Sequence, residues 1–195
     1  VYGKRYSFDQ FDLKFNRPDI ILGRLGYADS ATIELYHKAY LKRLKKMGFT
    51  LDMLKSDFHL PEIKIVDLEK VPAVTSQKEI DFQVITTDDK YKLDRINVWV
   101  NNVAIYGTKG ISLRENDTQN YETKLSIQLQ FGNNKVQVSV LNQAGAESYK
   151  ETFEIECTYS FGKNDLYVVA ISVSDYIQSD MNLKYAVKDG RDITS

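Results

Sequence analysis

The chain has 195 residues, 43% hydrophobic and 27% charged, enough apolar material for a core and too much for a disordered chain. Its 26 Lys and Arg nearly balance 27 Asp and Glu, so no global field favours nucleic acid or an anionic membrane surface. The longest uncharged apolar stretch, Leu166 to Ser174, is far too short to span a bilayer, and a single cysteine, Cys157, excludes an intrachain disulfide.

Residues 1–59 read as a helical connector. After an aromatic, polar lead-in (Tyr2, Tyr6, Phe8, Phe11, Phe15), Pro18 suits the first turn of a short helix, Asp19 to Leu25, which Gly26 stops. Asp29 or Ser30 caps a longer helix running to about Met47. Its apolar positions Ile33, Tyr36, Tyr40, Leu41 and Leu44 follow the three-four spacing of one buried face. Gly48 sits where a left-handed C-cap belongs, and a further turn follows over Thr50 to Leu54. Lys38, Lys42, Arg43, Lys45 and Lys46 make one side basic, which a solvated face complementing the helix dipole explains better than a nucleic-acid patch.

From Pro61 the period changes from 3.6 to 2. Ile63 and Ile65 begin a first strand; Ile80, Phe82 and Val84 alternate in a second. Ile96, Val98 and Val100 form a third, continued by Val103 and Ile105 after an Asn101-Asn102 turn. Leu125, Ile127, Leu129 and Phe131 form the next, then Val136, Val138 and Val140, and finally Phe153, Ile155 and Cys157, with Tyr159 in phase. This predicts about seven antiparallel strands, each with one wet face, over residues 60–160, arranged as a sandwich. Cys157 is expected to be a small core hydrophobe. The paired strands around Gly145, Asn134 to Ser148 followed by Thr152 to Glu156, resemble the closing hairpin of bacterial immunoglobulin-like and fibronectin-like modules. The absence of a Cys…Trp…Cys framework excludes an antibody-type domain.

Residues 161–195 change texture. Leu166 to Val173 is a continuous apolar run, as expected of a strand buried on both faces of a parallel sheet. A loop, Asp175 to Asn182, leads to a helix with apolar positions Leu183, Ala186, Val187 and Ile193. Such a β-α unit cannot bury its own faces, so it is expected to be the cut start of an α/β domain. Tyr167 to Tyr176 and Leu183 to Ile193 resemble the opening strand and helix of bacterial caspase-like (metacaspase-type) peptidases, over Asp165 to Ile193. That family's catalytic His and Cys lie downstream of this point, so neither is carried over. The resemblance implies one position, Asp189, as an acidic residue that recognises a basic substrate side chain; Tyr185-Ala186 replaces the Gly-Cys often found before it. A solvated helix charge explains Asp189 and Asp192 equally well. Such peptidases often share a chain with WD-repeat propellers, and the lead-in Tyr6 to Asp19 is similar to their connectors, although no Gly-His…Trp-Asp repeat is present.

Few residues invite chemistry. His37 and His59 fall in a helix and in a loop, with no nucleophile set around them. Asp88-Asp89, Glu115 and Asp117 lack the spacing of a calcium loop and read as turn formers, so no metal and no cofactor are expected. Trp99 is out of phase with its strand's core positions; packing against the N-terminal helices is the favoured expectation, a sugar platform the alternative. The expected function is therefore a non-catalytic linker or interaction module of a larger caspase-like cysteine peptidase. It would join other domains of the same polypeptide, or another protein, with no nucleic acid or membrane partner. A carbohydrate- or protein-binding adhesion module is the alternative. A cytoplasmic setting is favoured by the lack of disulfides; residue 1 is Val, so a missing signal peptide decides nothing.

Overall fold

A computed structural model describes residues 6–159, 162 and 167–194, and the chain divides into two units, Val1–Tyr159 and Ser160–Ser195. In the first, the period-2 segments form two sheets. One has the order β1 (Glu62–Ile65), β3 (Glu79–Thr87), β7 (Asn120–Gln128). The other runs β2 (Val74–Thr75), β9 (Glu151–Cys157), β8 (Gly132–Asn142), β4 (Leu93–Val100), β5 (Val103–Ala104), with β6 (Ile111–Ser112) also pairing β4. Every pairing is antiparallel except β2 with β9. Consecutive strands β3 and β4 lie in different sheets, as do β7 and β8. In immunoglobulin lettering this is A-B-E against G-F-C-C′, with a short A′ strand beside G. The domain is an immunoglobulin-like β-sandwich.

Alternation places Ile80, Phe82 and Val84 from one sheet against Ile96, Val98, Val136, Val138, Phe153 and Ile155 from the other. The rings of Phe82 and Phe153 meet edge to face, 5.3 Å between centroids. Cys157 is fully buried in this core, its Sγ 3.4 Å from the Gln77 carbonyl, so the thiol packs as a hydrophobe. Four expected strand positions, Phe131, Val103, Ile105 and Tyr159, are outside the core. Phe131 is 68% exposed, because the β7 ladder ends at Gln128 and the chain turns through Gly132, φ +88°, the first residue of β8. Val103 lies on the two-residue strand β5, where the opposite sheet no longer reaches, and Tyr159 lies past the end of β9; both are exposed.

The N-terminal helices lie close to their expected spans, but of the expected buried face of the longer one only Tyr40 and Leu44 are buried, while Tyr36 and Leu41 are exposed and Ile33 is half-buried. α2 (Pro18–Leu25) has Pro at its start and Gly26, φ 66°, at its left-handed C-cap. In α3 (Ser30–Lys46) the Asp29 carboxylate accepts from the Thr32 amide at 2.7 Å. The lead-in is itself structured: a 3₁₀ turn, Phe8–Phe11, passes into α1 (Asp12–Phe15). Leu13, Tyr40, Leu44 and Phe49 gather around Leu141 of β8, and Tyr6, Phe11, Phe15 and Phe58 stack beside them. Helices and sandwich thus share one unit.

In the second unit the expected strand carries no ladder among its described residues. Tyr167, Val169 and Ile171 are 85%, 85% and 89% exposed, because a strand needs a neighbour to satisfy its backbone and cover its faces, and this unit supplies none there. Leu166 lies outside the described residues. The helix forms as α4 (Ala186–Thr194). A Cβ on Gly190 would stand 1.9 Å from Ser172 Oγ, so this glycine lets the apolar segment lie directly on the helix.

Candidate functional site

The outer face of the larger sheet shows how each expected site residue is placed. Three cross-strand pairs follow one another along β4 and β8: Arg95 with Leu141, Asn97 with Ser139, Trp99 with Gln137. At the first pair the helices cover the sheet. Arg95 is buried, donating to the Met47 carbonyl at 2.5 Å and the Thr108 carbonyl at 2.9 Å. Its guanidinium and that of Arg114 bind the buried Asp94 carboxylate, and both lie over the Phe49 ring. At the second pair Asn97 and Ser139 donate to Glu147. At the third, Trp99 is half-buried with the Lys150 ammonium 4.0 Å from its ring centroid. Trp99 does face outward, but its covering is a lysine; the helices rest on Leu141 instead. A cation over the indole occupies the face a sugar would stack on.

Asp189 sits in the first turn of α4 and is exposed. The basic side of α3 is largely solvated: Lys38 pairs with Glu34 at 2.7 Å, while Arg43 turns inward to Asp12 and to the Asn16 carbonyl.

The most structured polar assembly is one the sequence hid. Where the linker after Phe58 passes the β3–β4 loop, an open groove of about 760 Å³ forms, lined among others by Tyr6, Phe58, His59, Glu62, Asp88 and Asp89. The Asp88 side chain is fully buried. Its Oδ1 accepts from the Lys90 and Tyr91 amides at 2.8 and 2.7 Å, and its Oδ2 from Asn142 at 2.9 Å. The predicted turn-forming role of Asp88 is therefore seen. His59 Nε2 lies 2.7 Å from Asp88 Oδ1 and 3.3 Å from Asp89 Oδ1, and its ring meets Tyr91 edge to face at 5.6 Å. Among the described residues, these three bring one ligand atom each within 4.8 Å of one another, the spacing of a metal-binding trio. Just before them in the linker, the Asp57 carboxyl is partly buried, which opposes ionisation; hydrogen bonds from Lys90, at 2.6 Å, and Tyr91, at 2.9 Å, outweigh this and hold it below its usual range.

His37 also meets a carboxylate, Asp19, at 3.0 Å, but Arg17 already grips that group at 2.9 and 2.6 Å. Burial of Asp19 opposes its ionisation, yet the Arg17 guanidinium holds its carboxyl far below the usual carboxylate range. This cluster is a clamp between α2 and α3. His59 and Asp88 were missed as a pair because three strands, β1 to β3, separate them in the chain, and neither has a spacing motif.

No protein-family model and no curated protein matches the chain. Among solved structures, the fibronectin(III)-like modules of CbhA from Clostridium thermocellum match at 16% identity and TM-score 0.40, covering 58% of this chain and 55% of that one. The PKD domain of an M14-like peptidase from a Thermoplasmatales archaeon matches at 14% identity and TM-score 0.34, over 50% of this chain and 92% of that one. A sialic acid binding region of a Streptococcus sanguinis adhesin matches at 18% identity and TM-score 0.36, over 70% and 40% respectively. These are distant likenesses of sandwich architecture, which the strand order establishes independently.

Proposed function

We propose that the chain is a non-catalytic linker or interaction module of a larger caspase-like cysteine peptidase protein, seating the peptidase domain relative to an upstream partner. The observation that carries this reading is the second unit. An apolar segment lies on α4 with Ala170 and Ser172 near Gly190, while Tyr167, Val169 and Ile171 on its other side are bare. A strand covered by a helix on one face needs a sheet edge and a second covering layer to complete it. The opening of a parallel α/β domain has that need, and the residues resemble the opening of a caspase-like one. The sandwich leaves the outward residues of β1, β3 and β7, such as Glu62, Gln83 and Lys124, exposed to neighbours. No helix among the described residues is long and apolar enough to cross a membrane.

The test is the coding sequence that follows Ser195 in the natural gene, expressed with this chain. A downstream His and Cys, with hydrolysis after basic residues that is lost when the Cys becomes Ala, would support the reading. A continuation without that dyad would remove the peptidase assignment and leave the sandwich module. Replacing Asp189 with Asn in the active protein would then test its implied role: KM for basic substrates should rise if it binds them.

A further inference from the structure

We infer that His59, Asp88 and Asp89 form a binding site for a divalent transition-metal cation of the Zn²⁺ class, on the wall of the groove between the linker and the β3–β4 loop. The argument begins with charge. None of the residues lining the groove is Lys or Arg, whereas Glu62, Asp88 and Asp89 are carboxylates. Two of these carboxylates converge on one imidazole nitrogen, at 2.7 and 3.3 Å. That nitrogen carries at most one hydrogen, so it cannot donate a linear hydrogen bond to both. A cation between the three atoms satisfies all of them at once.

The second step concerns rigidity. A metal ligand must be held in place by other bonds, and Asp88 is: two backbone amides fix Oδ1 and Asn142 fixes Oδ2. A cation would take the place of the His59 hydrogen on Asp88 Oδ1, leaving the number of partners on that oxygen unchanged. The Asp89 side chain, 91% exposed, can adjust its oxygen to the metal–ligand distance. Three protein ligands leave the remaining coordination positions open to the groove, where water or a ligand group would complete the shell.

The third step is the contrast with the other histidine. Asp19 beside His37 is already neutralised by the bidentate Arg17, so a cation there would have to displace a guanidinium. Cys157, the thiol that would otherwise attract zinc, is sealed in the core. One imidazole with two carboxylates suits Zn²⁺, Ni²⁺ or Co²⁺ better than Ca²⁺ or Mg²⁺, which prefer all-oxygen shells.

Isothermal titration of the whole chain with ZnCl₂ tests this. A single saturable equivalent is expected. It should weaken by about tenfold or more in Asp89→Asn and be lost in His59→Gln, while His37→Gln binds as the parent does. Asp89 is exposed, so its variant keeps the fold, checked by circular dichroism, and remains informative if His59→Gln does not fold. Absence of saturable Zn²⁺ uptake would overturn the site. So would uptake that survives Asp89→Asn unchanged, uptake that His37→Gln abolishes, or Ca²⁺ binding as tight as Zn²⁺ binding.

Discussion

Asp94 carries more charge compensation than any other buried acid in the first unit. Its side chain is 1% exposed and receives guanidinium hydrogens from Arg95, itself buried, and from Arg114. Arg95 also holds the Met47 carbonyl at the end of α3, so this one carboxylate links β4, the segment before β7 and the helices. Replacing it with Asn keeps the shape but leaves a buried guanidinium without its counter-charge. Asp94→Asn should cost about 3 kcal/mol, read as a lower urea midpoint at unchanged m-value. A loss below about 1 kcal/mol would mean that water reaches the pair. Gly145, in the β8–β9 connection, adopts φ +81°, and a Cβ there would stand 2.4 Å from Leu54 Cδ2. Gly145→Ala therefore meets both backbone strain and a clash with the turn after α3, and should cost about 1–3 kcal/mol. If it proves neutral by the same denaturation measurement, the contact between that turn and the sandwich is looser than the geometry states.

Long alternating elements were legible in the sequence because burial of one face writes a period directly into it. β3, β4, β8 and β9 all follow that period, and the capping residues Asp29 and Gly26 mark helix ends where the structure has them. The two-residue strands β2 and β6 left no signal, since two positions cannot define a period; β5 was legible through the Asn101-Asn102 turn before it, where both residues have positive φ. Phe131 misled for a related reason: alternation persists in sequence after the partner sheet has ended. Trp99 was correctly placed on the outer face, but its lysine partner comes from beyond β8 and depends on how the β8–β9 connection returns. At the groove, Asp88 was readable as a turn former, while its meeting with His59 depends on tertiary packing alone. Between elements, Asp19 gives a pH signature for the α2–α3 clamp. Its carboxyl is held far below the ordinary value by Arg17, so it stabilises the fold above the unfolded Asp pKa of about 3.9 and the contribution fades as pH falls below that value. The stability gap between the parent chain and Asp19→Asn, taken from urea curves, should be widest near neutrality, begin to narrow below about pH 4 and remain partly open at pH 3. A gap independent of pH would show that the bonds to Arg17 do not depend on the charge.

At the scale of the whole molecule, the two units differ in what they bury. The two sheets of the sandwich enclose one core, from Ile63 to Cys157, and the helices close a second around Leu141, both within the first unit. The second unit keeps Tyr167, Val169, Ile171 and Ile193 at 70% exposure or more, an apolar surface that a stable soluble domain would ordinarily cover. Removing residues 160–195 should therefore leave the thermal midpoint of the first unit unchanged within about 1 °C, because a 1 kcal/mol loss in a domain of this size moves it by several degrees. The same truncation should abolish most of the binding of a hydrophobic dye such as ANS by the full chain and reduce its tendency to associate at high concentration. Gly190→Val, which forces the apolar segment off α4, should raise dye binding while leaving that midpoint alone. A truncated chain that melts several degrees lower would show that the sandwich draws stability from the second unit, and the division into separately stable parts would have to be abandoned.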